Sequence, residues 1–211
     1  VQDRRGEASR LNNLGNAYFN LGQISTANDY YQQALTISKE TGDKYNQGIS
    51  LSNLGNIATA NGHYDQAITH LRDAVTITSE IGNKTLLQYR HSLLARVYWF
   101  AGELSNALST IQQAREYNTP KYNHITTVWY GCIAICIKEM GDIQATFHEG
   151  VTHADTWLIQ TPHDYDALYC RGLVYAGLWL VTGDSAHYAN AIKAYTKAKM
   201  ANQAIGVLRE N

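Results

Sequence analysis

Apolar residues along this chain recur at helical spacing, and no stretch alternates apolar and polar residues as a strand would. Leu11, Leu14 and Tyr18 lie at i, i+3 and i+7, which places them on one stripe of a first helix. Gly22 follows at a position typical of a helix end, and a second helix with Tyr31 on its inner face comes next. This pattern predicts an all-α protein built from helical hairpins.

The same pattern returns every 40 residues, as the spacing of Gly22, Gly62 and Gly102 shows. A lone hairpin cannot bury both of its apolar faces, so it has to stack on a copy of itself. We therefore expect a single domain over residues 1–211. Its predicted units are three regular repeats at 6–43, 44–83 and 84–119, followed by two divergent repeats at 120–160 and 161–211.

The residues that repeat form a known pattern of large, small and aromatic positions. In the first unit they are Leu11, Leu14, Gly15, Tyr18, Gly22, Ala27, Tyr31 and Ala34. This pattern resembles the tetratricopeptide repeat family. The resemblance implies a right-handed α-solenoid of about five hairpins that binds proteins or peptides on its concave surface and is not an enzyme. The long repeat looks like those of Pins-type adaptors and of sensor regions in bacterial STAND/NB-ARC signalling NTPases.

The pattern weakens after Pro120. A fourth repeat aligns on Gly141 and a fifth on Gly183, with extra residues expected in the turn that follows Gly183. Asp164 and Asp166 stand where a following helix would begin, and we interpret them as a turn and a helix cap.

Carried over by position, the resemblance also predicts which first-helix residues line the concave wall. These candidate contacts are Asn12, Asn13, Asn16, Phe19, Asn20, Ser52, Asn53, Asn56, Thr59, Tyr89, Ser92, Arg96, Trp99 and Phe100.

The asparagines of this set recur, since Asn13 and Asn16 return as Asn53 and Asn56. A side-chain amide both donates and accepts, so a row of amides can pair with the backbone of an extended peptide. Alternatively, the same amides bond between repeats and hold the stack together. Arg96 would take a carboxylate, and the aromatic residues would supply an apolar pocket. The family's carboxylate-clamp variety does not fit, because Asn12, Ser52 and Ser92 replace its basic residues.

Composition excludes several classes of partner. Lysine and arginine number 17 against 18 acidic residues, for a net charge of -1, so no basic face for nucleic acid or an anionic membrane is expected. An odd number of cysteines, three, favours a reducing compartment, and we expect the cytoplasm.

No cofactor or metal is expected either. The chain lacks nucleotide-binding glycine motifs, and His148 and His153 are not spaced as a helical ligand pair. Cys132 and Cys136 sit in an apolar helix, where core packing is the expected role. A nucleophile pair such as Cys170 with His163 would need a third orienting group and an oxyanion site, which the sequence does not indicate.

Two other hypotheses stay open. In the first hypothesis, the array is the sensor or autoinhibitory end of a larger signalling ATPase, and its partners include other domains of its own chain. The start at Val1 is in keeping with a processed or excised piece. Alternatively, the array would self-associate through its less regular C-terminal repeats.

Overall fold

The computed structural model describes the backbone of residues 3–137 and 142–210, and side chains over the same ranges up to residue 201. These residues form helices and no strand, which confirms the predicted all-α class. In chain order the helices are α1 (Arg4–Asn20), α2 (Ile24–Glu40), α3 (Lys44–Ala60), α4 (Tyr64–Ile81), α5 (Lys84–Phe100), α6 (Leu104–Tyr117), α7 (Asn123–Ile137), α8 (Ile143–Gln160), α9 (Tyr165–Thr182) and α10 (Ser185–Glu210).

The helices divide into two compact units, Val1–Glu103 with α1 to α5 and Leu104–Asn211 with α6 to α10. The boundary falls inside the third predicted repeat, 84–119, where the sequence shows no break. Gly141, on which the fourth repeat is aligned, lies outside the described residues.

Local turn chemistry sets the helix ends in unit 1. Gly22, Gly62 and Gly102 adopt φ values of 75°, 75° and 78° after α1, α3 and α5, a left-handed conformation that glycine adopts without strain. At the N-termini of α3 and α5, the side chains of Asp43 and Asn83 accept backbone N–H bonds of 3.1 and 3.0 Å. The first-helix ends predicted at the three glycines spaced by 40 residues are thereby confirmed.

Inside a hairpin, the two helices meet where a glycine of one packs against a large side chain of the other. A Cβ atom on Gly15 of α1 would overlap the ring of Tyr31 on α2. The contact recurs in the last hairpin, where a Cβ on Gly172 of α9 would lie 2.6 Å from Cε1 of Tyr195 on α10. The helix axes therefore approach closely, and the ring fills the remaining space.

Neighbouring hairpins of unit 1 stack through an apolar cluster between α2 and α3. Tyr31 and Leu35 of α2 pack with Leu51, Leu54 and Ile57 of α3, and all five are buried. Full burial of each such aliphatic side chain contributes about 2 kcal/mol. Stacking of one hairpin on the next thus provides much of the stability of this unit.

In unit 2, α9 begins at the predicted cap. The Asp164 carboxylate accepts a 3.0 Å bond from the Ala167 backbone N–H and another of 3.0 Å from Nε1 of Trp157. The cap therefore also ties α9 to the end of α8. The turn before α10 is shorter than expected from the sequence, because the helix already begins at Ser185.

Candidate functional site

A row of asparagines crosses the first helices of unit 1. Asn13, Asn16 and the helix-terminal Asn20 are exposed on α1, while Asn53 and Asn56 are half-buried on α3. The 40-residue repeat places the two sets at equivalent positions of successive helices, so amides lie side by side across the stacked hairpins.

Hydrogen bonds link this row from hairpin to hairpin. Asn16 Oδ1 accepts from the Tyr31 hydroxyl at 2.7 Å and from Asn53 Nδ2 at 3.2 Å. One repeat further on, Asn56 Oδ1 accepts from Arg96 Nη2 at 3.0 Å. The amide oxygens are thus engaged between hairpins, as the second interpretation of the asparagines predicts. Among the described residues, the amino groups of Asn16 and Asn56 remain as donors toward a ligand.

The buried Tyr31 on α2 supplies one donor to this hydrogen-bond network. Burial raises the pKa of its hydroxyl, and the nearby Tyr89 raises it further. The hydroxyl therefore stays protonated at neutral pH and remains a hydrogen-bond donor to Asn16.

Three of the predicted contact residues are buried, which corrects the expectation that they line an accessible wall. Asn12 is 2% exposed because it accepts from Ser50 Oγ at 3.0 Å and faces Asn46, both on α3. Ser52 and Ser92 are also buried, and each hydroxyl donates to a carbonyl four residues earlier in its own helix. These side chains belong to the packing and cannot reach a ligand in this structure.

The aromatic candidates divide between the core and the surface. Phe19 is half-buried and packs on the cluster between α2 and α3. Tyr89 and Trp99 on α5 are half-buried, and the Trp99 ring lies 5.2 Å from that of Phe100. Phe100 is 43% exposed and stacks on Tyr64. Thus α5 contributes partly accessible aromatic side chains to the candidate site in addition to Arg96.

Sequence reasoning missed a buried cation. Arg90 on α5 is 2% exposed, and its Nη1 donates to the carbonyl of Ala74 at 3.3 Å. A Cβ on Gly48 of α3 would lie 2.5 Å from Nη1 of Arg90. The guanidinium therefore fits only because Gly48 has no side chain. A glycine and an arginine 42 positions apart form no recognisable sequence motif, so the sequence does not predict this contact.

Sequence reasoning also missed a cleft of about 430 Å³ in unit 1, formed by α2, α3 and α4. Leu54, Ile57, His63 and His70 are among the residues that line it. Burial lowers the pKa of His70, with Asp73 opposing and Lys39 reinforcing the shift. Its residues come from three helices, so no contiguous motif marks it.

The histidines and cysteines of unit 2 that were considered as metal ligands or nucleophiles do not form a site among the described residues. Over residues 3–137 and 142–201, no three histidine, cysteine or acidic side chains come together as metal ligands would. Burial raises the pKa of the Cys132 thiol to about 12. Cys136 is exposed rather than packed in the core, which corrects the expectation for that residue. Cys170 is buried, whereas His163 is exposed.

The two histidines of α8, which are not spaced as a helical ligand pair, have different surroundings. His148 is exposed, and the ring Nδ1 of His153 lies 3.0 Å from the hydroxyl of Thr127.

In the part of the chain that the structure describes, no helix has the length and apolar character needed to cross a membrane.

Comparison with known families adds to this geometry. The model of the tetratricopeptide repeat family matches residues 6–80. Over these residues the chain is therefore similar to tetratricopeptide repeats. The match covers the first two regular repeats, where the asparagine row lies. No protein with a curated description matches the sequence.

Solved structures of the same fold cover the whole chain. A Rap protein complexed with competence and sporulation factor is 16% identical with a TM-score of 0.77, over 100% of this chain and 58% of that one. Aspartyl phosphate phosphatase F from Bacillus subtilis is 16% identical with a TM-score of 0.67, over 100% and 62%. The Rap conjugation gene regulator of plasmid pLS20, in complex with the Phr* peptide, is 17% identical with a TM-score of 0.68, over 100% and 66%.

The TM-scores of 0.67 to 0.77 show a shared helical-repeat fold. The chain spans about three fifths of the length of these three proteins.

Proposed function

We propose that this tetratricopeptide repeat chain is a non-enzymatic scaffold that binds an extended peptide or protein segment on the first-helix face of unit 1. The observation that carries the proposal is the row of amides on α1 and α3, continued by Arg96 on α5 and linked by hydrogen bonds from Asn53 to Asn16 and from Arg96 to Asn56. The links fix the rotamers of these side chains before any ligand arrives, which lowers the entropic cost of binding.

The hydrogen-bonding capacity of the row suits a polypeptide backbone. The amino group of Asn16 donates, the Oδ1 of Asn53 accepts, and the exposed Asn13 does both. An extended peptide presents N–H and C=O groups at intervals of about 3.3 Å per residue, so several can be engaged along one face. Such contacts are independent of the peptide sequence, and Arg96, Tyr89 and Trp99 supply the selectivity for acidic and apolar side chains.

The solved neighbours support a peptide as the ligand. The Rap regulator of plasmid pLS20, which shares this fold, was solved with the Phr* peptide bound. The occupant proposed for this chain is a segment of another protein or of a further domain of the same chain, because the recognition chemistry is the same for both. The cytoplasm is the proposed location.

The test is selection of a displayed random peptide library on the immobilised chain, followed by calorimetric titration of the most enriched peptide. We expect Asn13→Ala and Asn53→Ala to weaken binding about tenfold each, the loss of a contact worth about 1.4 kcal/mol. The matched control is Gln33→Ala, which removes an exposed amide from α2 instead. Unchanged affinity in both asparagine variants together with loss in the Gln33 variant would place the binding surface on the second helices.

A further inference from the structure

The last hairpin, α9 and α10, exposes an apolar and aromatic surface. Tyr165 and Tyr169 on α9 are 37% and 41% exposed, and Tyr188 and Ile192 on α10 are 51% and 50% exposed. Tyr169 joins the two helices, because its ring stacks 6.0 Å from that of Tyr165 and lies 5.6 Å from that of Tyr195. We call these five residues the end face.

The equivalent surface is covered in earlier hairpins. Aligned on the glycine and tyrosine contact described above, Tyr169 takes the place of Asn12 in the first hairpin, which is 2% exposed under α3. In the fourth hairpin, aligned on the packing of Gly131 against the Phe147 ring, the equivalent residue is Val128, which is 0% exposed. The end face is therefore a stacking surface, the kind on which the first helix of a following hairpin lies.

The first helix of the chain has the matching pattern. On α3, the leucines that cover the first hairpin are Leu51 and Leu54, 4% and 2% exposed. Forty residues earlier, α1 carries Leu11 and Leu14 at the equivalent positions. Leu14 is 45% exposed, and Leu21 at the end of α1 is 53% exposed. The apolar side of α1 is thus uncovered, although its counterpart on α3 is buried.

We infer that a second copy of this chain lays its α1 on the end face of the first copy, in the way that α3 lies on the first hairpin. Aromatic residues with few charges are typical of the core of a protein interface. The two surfaces differ, so each contact is heterologous and joins the α1 of one copy to the end face of another. This inference is independent of the proposed peptide-binding face.

Two substitutions separate the surfaces. Leu14→Glu places a charge on the α1 side and leaves the end face intact, whereas Tyr169→Glu does the reverse. Because Leu14 and Tyr169 are 45% and 41% exposed, the variants should keep the wild-type helical circular dichroism. Ile159→Glu is the matched control, since Ile159 is 80% exposed at the end of α8 and is not part of either surface.

The measurement is sedimentation velocity of the full chain from low micromolar to several hundred micromolar concentration. We expect the weight-average mass of the wild type and of the Ile159 variant to rise with concentration, and each of the other variants alone to stay monomeric. An equimolar mixture of the Leu14 and Tyr169 variants should form dimers and nothing larger, because one good α1 meets one good end face.

A wild type that stays monomeric at all concentrations overturns the inference. So does a mixture that stays monomeric while the wild type associates, or a Leu14 or Tyr169 variant that associates as strongly as the wild type. Should the Tyr169 variant lose its helical signal, Tyr188→Glu takes its place, because Tyr188 belongs to the same face and is 51% exposed.

Discussion

Acidification is expected to destabilise unit 2 through one buried histidine. His124 on α7 is 2% exposed, its ring lies 6.4 Å from that of Trp157, and neither ring nitrogen has a hydrogen-bond partner among the described residues. Burial lowers the pKa of His124 to about 4. The carboxylate of Asp164 opposes this shift, and His153 reinforces it.

The magnitude follows from proton linkage. A histidine with a lowered pKa in the folded state is favoured there in its neutral form, so its contribution is fully present above the unfolded pKa of 6.5 and is lost as the pH falls toward about 4. The full shift corresponds to about 3 kcal/mol, and acidification from about pH 7 to about pH 5 removes about 2 kcal/mol of it.

Urea unfolding at these two pH values measures the effect. In His124→Phe the ring against Trp157 is kept but cannot titrate, so the loss of unfolding free energy on acidification should be about 2 kcal/mol smaller than in the wild type. Burial also lowers the pKa of His153 and His70, and their contributions cancel in this difference. His163→Gln, at an exposed position, should keep the wild-type loss. Equal losses in the wild type and the His124 variant would refute the reasoning.

Two further predictions concern the packing of unit 1. Gly48→Ala should lower the free energy of unfolding by about 1–3 kcal/mol, because the new methyl group would lie 2.5 Å from the guanidinium of buried Arg90. An unchanged midpoint of thermal unfolding would contradict this prediction. Asn12→Ala should lower the free energy of unfolding in urea by about 1–2 kcal/mol, because it removes the Asn12 acceptor from the buried Ser50 hydroxyl. Asn13→Ala, at the exposed neighbouring position, should lower it by less than about 0.5 kcal/mol. Equal decreases in the two variants would argue against the Asn12 bond.

The repeat architecture is readable from sequence because its determinants are local. Glycine at positions 22, 62 and 102 ends a helix through its own backbone preference, whatever surrounds it. The candidate site is harder, since consecutive helical residues point about 100° apart and Asn12 differs from Asn13 only in what lies against it. Spacing alone does not say which of the two faces α3.

The divergent repeats show the same limit. The sequence after Gly141 lacks the alanine and aromatic pattern of the earlier second helices, yet α8 closes its hairpin with a different residue. A Cβ on Gly131 would lie 2.6 Å from the ring of Phe147, and one on Gly177 would lie 2.5 Å from it. Gly131 precedes Phe147 by 16 positions, as Gly15 precedes Tyr31, but Gly177 follows it by 30 and belongs to the next hairpin. The shared contact of the two glycines with one ring therefore emerges only when the helices are brought together.

The pairing of a glycine with a bulky side chain inside several of the hairpins has a consequence for how such arrays can change. Gly15 with Tyr31 and Gly172 with Tyr195 each lie within one hairpin, so a duplicated or transplanted hairpin carries its own closing contact with it. Recombination in the turns between hairpins, as at Gly42, leaves every such pair whole. A crossover at Gly22 would split one, and the resulting chimera would need a compensating change of residue size.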